Sequence, residues 1–412
     1  MSETKNYCET APLDHRKRWG QFFTPPQVAN FMIEWVLGSG LPELYDPAYG
    51  LGAFHPRREG IRFSATEIDP LILAHTDLGD AKSDCSIRRE DYLATWGRTH
   101  GNIVCNPPYM RFQRFEGRSE VFAAFNSKLR IRLSGYTNTA SAFLIKSLSE
   151  LDRGGRLSYI MPLEFLNTGY GAVIKERLIT NQHLVSIINL KCEKDIFPDA
   201  TTSVGIILYD SSKHHSHVNF HSVNSISDLN RMSSLDPASV VSVGDLDPKQ
   251  KWLPYFQTSK VSVDVSRAMP LEYYGRFSRG IATGANEFFV LAPSKAKLLG
   301  LRESECLPCV TRSSQIRQAV FTNNDIQELL QDDAPLLLFS AKGSASDAAC
   351  RYIKQGEAQG YHERFLTKNR TPWYKTEQRP SAPLLLGVFS RGGYKMVLNR
   401  SNALNLTCYH GF

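Results

Sequence analysis

Four times between residues 44 and 109 the chain shows a short β-forming stretch ending in side chains suited to hold a polar ligand. Residues 46–54 follow an apolar run and carry Gly50 and Gly52. Residues 63–69 end in Glu67, Ile68 and Asp69, and residues 88–93 contain Asp91 and Tyr92. Ile103, Val104 and Cys105 run directly into Asn106, Pro107, Pro108 and Tyr109. The groups recur about every 15–25 residues, the pace of strand–helix units. That rhythm predicts an α/β fold: a Rossmann-like, doubly wound, mostly parallel sheet with ligand-holding groups at its strand ends.

Each group suggests its own chemistry. A strand turning into a helix at residues 46–54 needs glycine where the backbone comes close to a ligand. Glu67 lies about 20 residues beyond that turn, where doubly wound folds place a carboxylate on ribose hydroxyls. Asp91 can accept a hydrogen bond from an adenine amino group while Tyr92 packs on the ring. Taken singly, each also reads as an ordinary turn or a solvated acid. Asn-Pro-Pro-Tyr asks for more. An exocyclic amine on a nucleobase is a poor nucleophile, because its lone pair is delocalised into the ring. The Asn106 side-chain carbonyl and the Pro107 main-chain carbonyl can each accept one of its two N–H hydrogens. Such contacts draw the nitrogen toward tetrahedral geometry and localise the lone pair. Pro107 and Pro108, with fixed φ and no N–H, stiffen the turn that aims those acceptors. Tyr109 adds a flat face for an extruded base.

With these residues in this order, the sequence resembles the N6-adenine DNA methyltransferases of restriction-modification systems, in the group whose cofactor motifs precede the catalytic one. That group opens with a segment like residues 20–29, Gly-Gln-Phe-Phe-Thr-Pro-Pro-Gln-Val-Ala, whose Thr24 and following prolines cover the methionine end of the cofactor. Pro25 and Pro26 suit the first turn of a helix running through Phe31, Met32 and Trp35. The resemblance implies S-adenosylmethionine as cofactor, contacted by Thr24, Asp46, Ala48, Gly50, Gly52, Glu67, Ile68, Asp91 and Tyr92. It assigns catalysis to Asn106, Pro107, Pro108 and Tyr109. Residues 196–204 match the segment whose aromatic, here Phe197, stacks on the flipped adenine opposite Tyr109. The group's Cys and Ser between Asp46 and Phe54 are replaced by Tyr49 and Leu51. Residues 154–162 resemble a later structural strand, and residues 279–286 resemble the turn that begins the family's DNA-recognition region.

The 412 residues, 42% of them apolar, suffice for two cores. Residues 1–250 alternate strand-like and helix-like patterns, with residues 141–151 helical and residues 157–160, 184–190 and 203–209 extended. Residues 245–254 are a plausible boundary. Residues 260–412 read as a mixed α+β DNA-recognition domain, with buried strands expected at 335–339 and 383–389. The chain stops soon after a strand expected at 403–409, which is consistent with a missing C-terminal portion. No apolar run is long enough to span a bilayer, and eight scattered cysteines with no disulfide framework fit a reducing, cytoplasmic compartment. Cys306 and Cys309 lack a second ligand pair, so no metal is expected. His214, His215 and His217 read as loop.

Charge is concentrated. Residues 351–400 hold ten Lys and Arg against Glu357, Glu363 and Glu377, equal to the net +7 of the whole chain. Interleaved aromatics make Arg364, Lys368, Arg370, Trp373, Tyr374, Lys375 and Arg379 candidates for a phosphate-facing surface. Arg111 and Arg114, just past the Asn-Pro-Pro-Tyr turn, could grip the backbone beside an extruded nucleotide or simply lie on an exposed connection. Duplex DNA is thus the expected partner. A clustered-acid nuclease site is not evident, so any linked cutting activity implies a separate restriction endonuclease. Two alternatives stay open: a methyltransferase for RNA or a protein glutamine, and a DNA-binding specificity subunit whose cofactor pocket has decayed around Tyr49 and Leu51.

Overall fold

The computed structural model describes residues 7, 11, 12, 15, 16, 19–56, 58–75, 85–110, 117–192, 196, 197, 203–257, 268–341, 345–388 and 394–412. The chain forms two compact units, Met1–Ser262 and Val263–Phe412.

The first unit carries a sheet of nine described strands: β1 (Glu43–Asp46), β2 (Arg62–Glu67), β3 (Cys85–Arg89), β4 (His100–Cys105), β5 (Leu151–Pro162), β6 (Leu184–Leu190), β7 (Val204–Asp210), β8 (His217–Val223) and β9 (Ser239–Ser242). Their order is β3-β2-β1-β4-β5-β7-β6-β8-β9. β1 to β5 run parallel, β7 is antiparallel to both its neighbours, and β9 is antiparallel to β8. This is the Rossmann-like, mostly parallel sheet that the strand-end rhythm predicts. Helices α1 (Pro26–Leu37), α2 (Pro70–His75), α3 (Arg118–Leu129), α4 (Thr139–Glu150) and α5 (Gly171–Ile179) complete it.

Side-chain alternation explains why both faces are covered. Ile103, Cys105, Leu157, Tyr159, Ile187 and Ile207 point into one core, against Phe143 and Leu144 of α4. Val104, Ile160, Ile188 and Ile206 point into the other, against Val28, Met32 and Val36 of α1. α1 starts where the sequence says it should: Pro25 is extended and Pro26 occupies the first turn, where a missing N–H costs nothing. The chain builds outward from β1 to β3 and then returns to β4 on the opposite side of β1. Ligands of open α/β sheets bind at the carboxyl ends beside that reversal.

Three local expectations need correction. Residues 245–254 are no boundary. Trp252 is fully buried, its indole N–H donates to the Asp247 carbonyl, and the Lys175 ammonium donates to the Leu166 and Gln250 carbonyls. Those contacts hold the segment to the first unit. His217 belongs to β8, paired with Ser242, and is not loop. The strand expected at 403–409 is two, β17 (Leu404–Asn405) and β18 (Tyr409–Gly411), which join different sheets.

The second unit is mixed α+β. β10 (Ser278–Arg279), β13 (Val320–Phe321), β15 (Leu384–Gly387) and β16 (Met396–Asn399) share a five-stranded sheet with β18. β11 (Val290–Leu291), β12 (Cys306–Val310) and β14 (Leu337–Phe339) form a four-stranded sheet with β17. The apolar core of the second sheet gathers Phe288, Phe289, Phe339 and Tyr352. Among the described residues no helix is long and apolar enough to cross a membrane, and no cluster of His, Cys, Asp and Glu could hold a metal ion.

Candidate active site

A cleft of about 890 Å³, partly open to solvent, lies at the carboxyl ends of β1, β2 and β4. The four strand-end groups meet there. Thr24, Ala48, Gly50, Glu67, Ile68, Asp91 and Tyr92 line it, together with Asn106, Pro107 and Pro108. Asp46, Gly52 and Tyr109 are not among the residues that line it.

The Asn106 side chain is fixed unambiguously. Its nitrogen donates to the Phe22 carbonyl at 2.6 Å and to the Thr24 hydroxyl at 3.0 Å. A main-chain carbonyl only accepts, so the atom facing Phe22 must be the amide nitrogen. Oδ1 is therefore the outward atom, and it is buried without a partner. A buried acceptor needs a donor, and because Asn106 stands in the wall of the cleft, a ligand there could supply it. The rest of the turn is bolted down. Tyr109 N–H donates to the Gly20 carbonyl at 3.1 Å, and the Thr139 hydroxyl donates to the Pro108 carbonyl at 2.6 Å. The Tyr109 hydroxyl donates to the Ile160 carbonyl at 3.1 Å.

At the end of β1, Gly50 takes φ +56°, and a Cβ there would meet only the Ala48 carbonyl, at 3.9 Å. Its N–H donates to Glu67 Oε2 at 2.8 Å. Glu67 Oε1 accepts from the N–H groups of Ile68 and Asp69, both at 2.8 Å. Three backbone donors hold the carboxylate in one orientation and leave a lone-pair position for a further hydroxyl. Burial pushes the Glu67 carboxyl up, against the pull of those donors. Asp91 Oδ1 caps the Leu93 N–H at 2.9 Å, and burial raises this carboxyl too. Asp46 is wholly buried: Oδ1 accepts from Ala48 N–H at 3.0 Å and Oδ2 has no partner. Burial, with the nearby Glu67 adding to it, lifts the Asp46 carboxyl to about 8.

The two departures from the family pattern both line the cleft and also pack into the apolar clusters beside it. Tyr49 is 5% exposed and joins Phe54, Phe63 and Val104 in the core. Its ring explains Gly52, where φ is +71° and a Cβ would stand 2.6 Å from the Tyr49 hydroxyl. Leu51 packs beside Tyr7 and Ile72.

The aromatic residues are arranged differently from expectation. Phe197 is 2% exposed, and its ring is edge-on to Tyr109 at 6.2 Å and 88°. The two do not form parallel walls with a base-sized gap between them. Instead Phe22 lies on Tyr109, centroids 5.0 Å apart and planes inclined by 28°. Sequence reasoning quoted Phe22 within the opening segment but gave it no role. It also missed Asp69, whose Oδ2 sits 2.6 Å from Gln21 Nε2 and 2.7 Å from His15 Nε2, tying those two side chains to a residue that lines the cleft.

In the second unit the basic candidates divide. Lys368 and Lys375 are exposed. Arg364 is exposed but pairs with Glu287 at 2.9 Å. Arg379 pairs with Glu377 at 2.9 Å and also donates to the Arg279 carbonyl. Trp373 and Tyr374 pack on the Phe288 core, and the Trp373 N–H donates to Glu357 at 2.9 Å. Arg370 donates to the carbonyls of Ala282 and Thr283, holding the turn that begins at Arg279. Arg111 and Arg114 lie outside the described residues. Arg370→Met should therefore destabilise the second unit by about 1–3 kcal/mol, because two carbonyls lose a charged donor. Calorimetry should show a lowered melting temperature for Arg370→Met and none for Lys375→Ala. Equal shifts would refute the division.

Residues 81–197 match the family described as Eco57I restriction-modification methylase, and residues 251–412 match the family described as Type II methyltransferase M.Eco57I, C-terminal domain. The chain is 34% identical to Type II methyltransferase M.AccI of Acinetobacter calcoaceticus, over 98% of this chain and 78% of that protein. It is 25% identical to Type II methyltransferase M.HincII of Haemophilus influenzae, over 59% of this chain and 45% of that one. Among solved structures, the Type IIL restriction-modification enzyme MmeI in complex with DNA superposes with a TM-score of 0.55 at 13% identity. That match covers 93% of this chain and 58% of MmeI, so this chain spans little more than half of the larger enzyme. With its cleft, its orphaned Asn106 acceptor and a relative at this level of identity, the chain belongs to the Type II restriction-modification methyltransferases.

Proposed function

We propose that the chain moves a methyl group from S-adenosylmethionine to N6 of adenine within a specific duplex DNA sequence, acting on a base rotated out of the stack. The observation that carries this reading is the Asn106 side chain, whose amide is pinned so that Oδ1 is a buried acceptor without a donor. An adenine amine placed there would donate one hydrogen to Oδ1 and the other to the Pro107 carbonyl. The lone pair would then be localised for in-line attack, and the amine would shed one proton after transfer. Alignment and preorganised dipoles supply the rate.

The cleft suits the cofactor on its own evidence. Gly50 leaves room for close approach, Glu67 is oriented by three N–H donors, and Asp91 keeps one oxygen clear of Leu93. S-adenosylmethionine, when bound, would supply an electrophilic methyl group on a sulfonium. Thr24, Asp46, Ala48, Gly52, Ile68 and Tyr92 complete the proposed cofactor set. Tyr109 is the proposed stacking face, with Phe197 at the base's edge. Residues 260–412 are the proposed target-recognition domain, where Lys368 and Lys375 are free to meet phosphates and Arg364 could exchange its Glu287 partner for one. Duplex DNA is the partner, and a cognate restriction endonuclease on a separate chain is a second one.

The test is transfer of labelled methyl from S-adenosylmethionine to mixed genomic DNA, followed by digestion to nucleosides. Label on N6-methyladenine is expected. Label on N4-methylcytosine would keep the mechanism and change the base. Label only on RNA or protein would overturn the DNA reading.

A further inference from the structure

One face of α4 runs from the target-amine turn to the opposite end of the cleft. Residues 139, 143, 146 and 150 follow each other at helical spacing and so line a single side. Thr139 holds the Asn-Pro-Pro-Tyr turn through Pro108 and Met110. Phe143 lines the cleft, its ring 5.0 Å from that of Tyr92. Further along, the Lys146 ammonium lies 2.6 Å from each Glu150 oxygen and 3.7 Å from the centroid of the Tyr92 ring. The Tyr92 hydroxyl donates to Glu150 Oε2 at 2.9 Å and lies 2.8 Å from the Ser147 hydroxyl. Tyr92 is thus gripped by a cation on its face and a carboxylate at its tip. Lys146 is 1% exposed and Glu150 4%, and neither lines the cleft.

A buried ion pair is a poor stabilising device, because losing hydration offsets most of the attraction. Well-packed apolar side chains would hold α4 to the sheet at least as well. The pair's placement behind Tyr92 and Asp91 gives it a different use. We infer that Lys146 and Glu150 are positioning residues for the adenine end of the cleft, setting through Tyr92 and Asp91 how selectively the adenosine part of the cofactor is held. The inference rests on the proposed methyltransferase reading. Two physical routes support it. The clamp fixes the plane of the Tyr92 ring, on which a purine would pack. The ammonium also opposes the effect of burial on Asp91, favouring the ionised carboxylate that accepts from a 6-amino group.

The decisive experiment uses the full chain and isothermal titration with two probes, S-adenosylhomocysteine and its analogue lacking the purine 6-amino group. Wild type should prefer the amino compound about tenfold, the scale of one hydrogen bond to a charged acceptor. Lys146→Met should shrink that preference toward unity while weakening S-adenosylhomocysteine itself. Turnover at saturating cofactor and the KM for DNA should hardly move. Because a lone buried Glu150 could prevent folding, the neutral pair Lys146→Met with Glu150→Gln is tested alongside, and it should fold while still losing the preference. An unchanged preference in a folded variant would overturn the inference and leave the methyltransferase reading standing. Failure of wild type to bind S-adenosylhomocysteine would overturn both.

Discussion

Asn106→Ala should lower the rate of methyl transfer by about 10²–10³ or more, the scale for removing one preorganised polar group from a developing charge. Cofactor binding should survive, because on the proposed reading Asn106 meets the amine while Glu67 and Asp91, at other strand ends, hold the cofactor. The side chain has two jobs, however. Its nitrogen satisfies Phe22 and Thr24, and only its oxygen is free for a substrate. Asn106→Asp separates them. A carboxylate oxygen would face the Phe22 carbonyl at 2.6 Å, which is repulsive, whereas a neutral carboxyl can donate there and still present its carbonyl outward. Activity of Asn106→Asp should therefore rise as pH falls and be lost as pH rises through the pKa of the new carboxyl. Single-turnover rates across pH, with wild type as reference, measure this. A pH profile identical to wild type would sink the assigned division of labour.

The second large effect concerns stability. In the folded chain the Asp46 carboxyl is pushed up to about 8, against an ordinary value of 3.8. Because the folded pKa lies above the unfolded one, the folded state keeps a proton that the unfolded state releases. Stability from this group is fully present below pH 3.8 and declines as pH rises to about 8. Asp46→Asn keeps the acceptor for Ala48 N–H and cannot ionise. It should raise stability at pH 8 by about 2–4 kcal/mol, several units of buried-charge cost less the penalty of a buried amide. The gain should fade toward pH 4. Denaturant melts at pH 4, 6 and 8 would show converging curves, and parallel curves would contradict the argument. The same logic bears on ligand binding. On the proposed reading S-adenosylmethionine brings positive charge into the cleft near Asp46 and favours its ionised form, so binding at pH 7 should release protons, detectable by titration in buffers of different ionisation enthalpy. Proton release by Asp46→Asn should be smaller.

Much of this site could be read along the chain because it is built from local turns. The ends of β1, β2, β3 and β4 each announce themselves in a few residues, and parallel pairing then brings them to one edge. Gly50 and Glu67 lie far apart in sequence yet share a hydrogen bond because β1 and β2 are neighbours. Other features depend on partners that no local pattern specifies. Arg370 and Lys375 look alike in a basic window, but one reaches two carbonyls of residues 282 and 283 and the other reaches solvent. Residues 245–254 have the composition of a linker, and only the fit of Trp252 and Lys175 reveals that they close the first unit. Phe197 has the expected residue type at the expected place, yet its burial beside Phe22 could not be foreseen from spacing. Lys146 and Glu150 were invisible as more than a helical charge pair, because their meaning lies in the ring they enclose.

The ring of Phe22 on Tyr109 has an energetic consequence. A stacking face left bare would reward any flat apolar surface that arrived, whichever base it belonged to. Here Phe22 already covers it, so on the proposed reading an incoming base would exchange one stacked ring for another and gain little from dispersion or from displaced water. The net preference for the right base then falls on its hydrogen-bonding edge. A base offering no amine to Asn106 Oδ1 would dislodge Phe22 and leave the acceptor orphaned as before. On that reading the covered face would turn a sticky surface into a discriminating one.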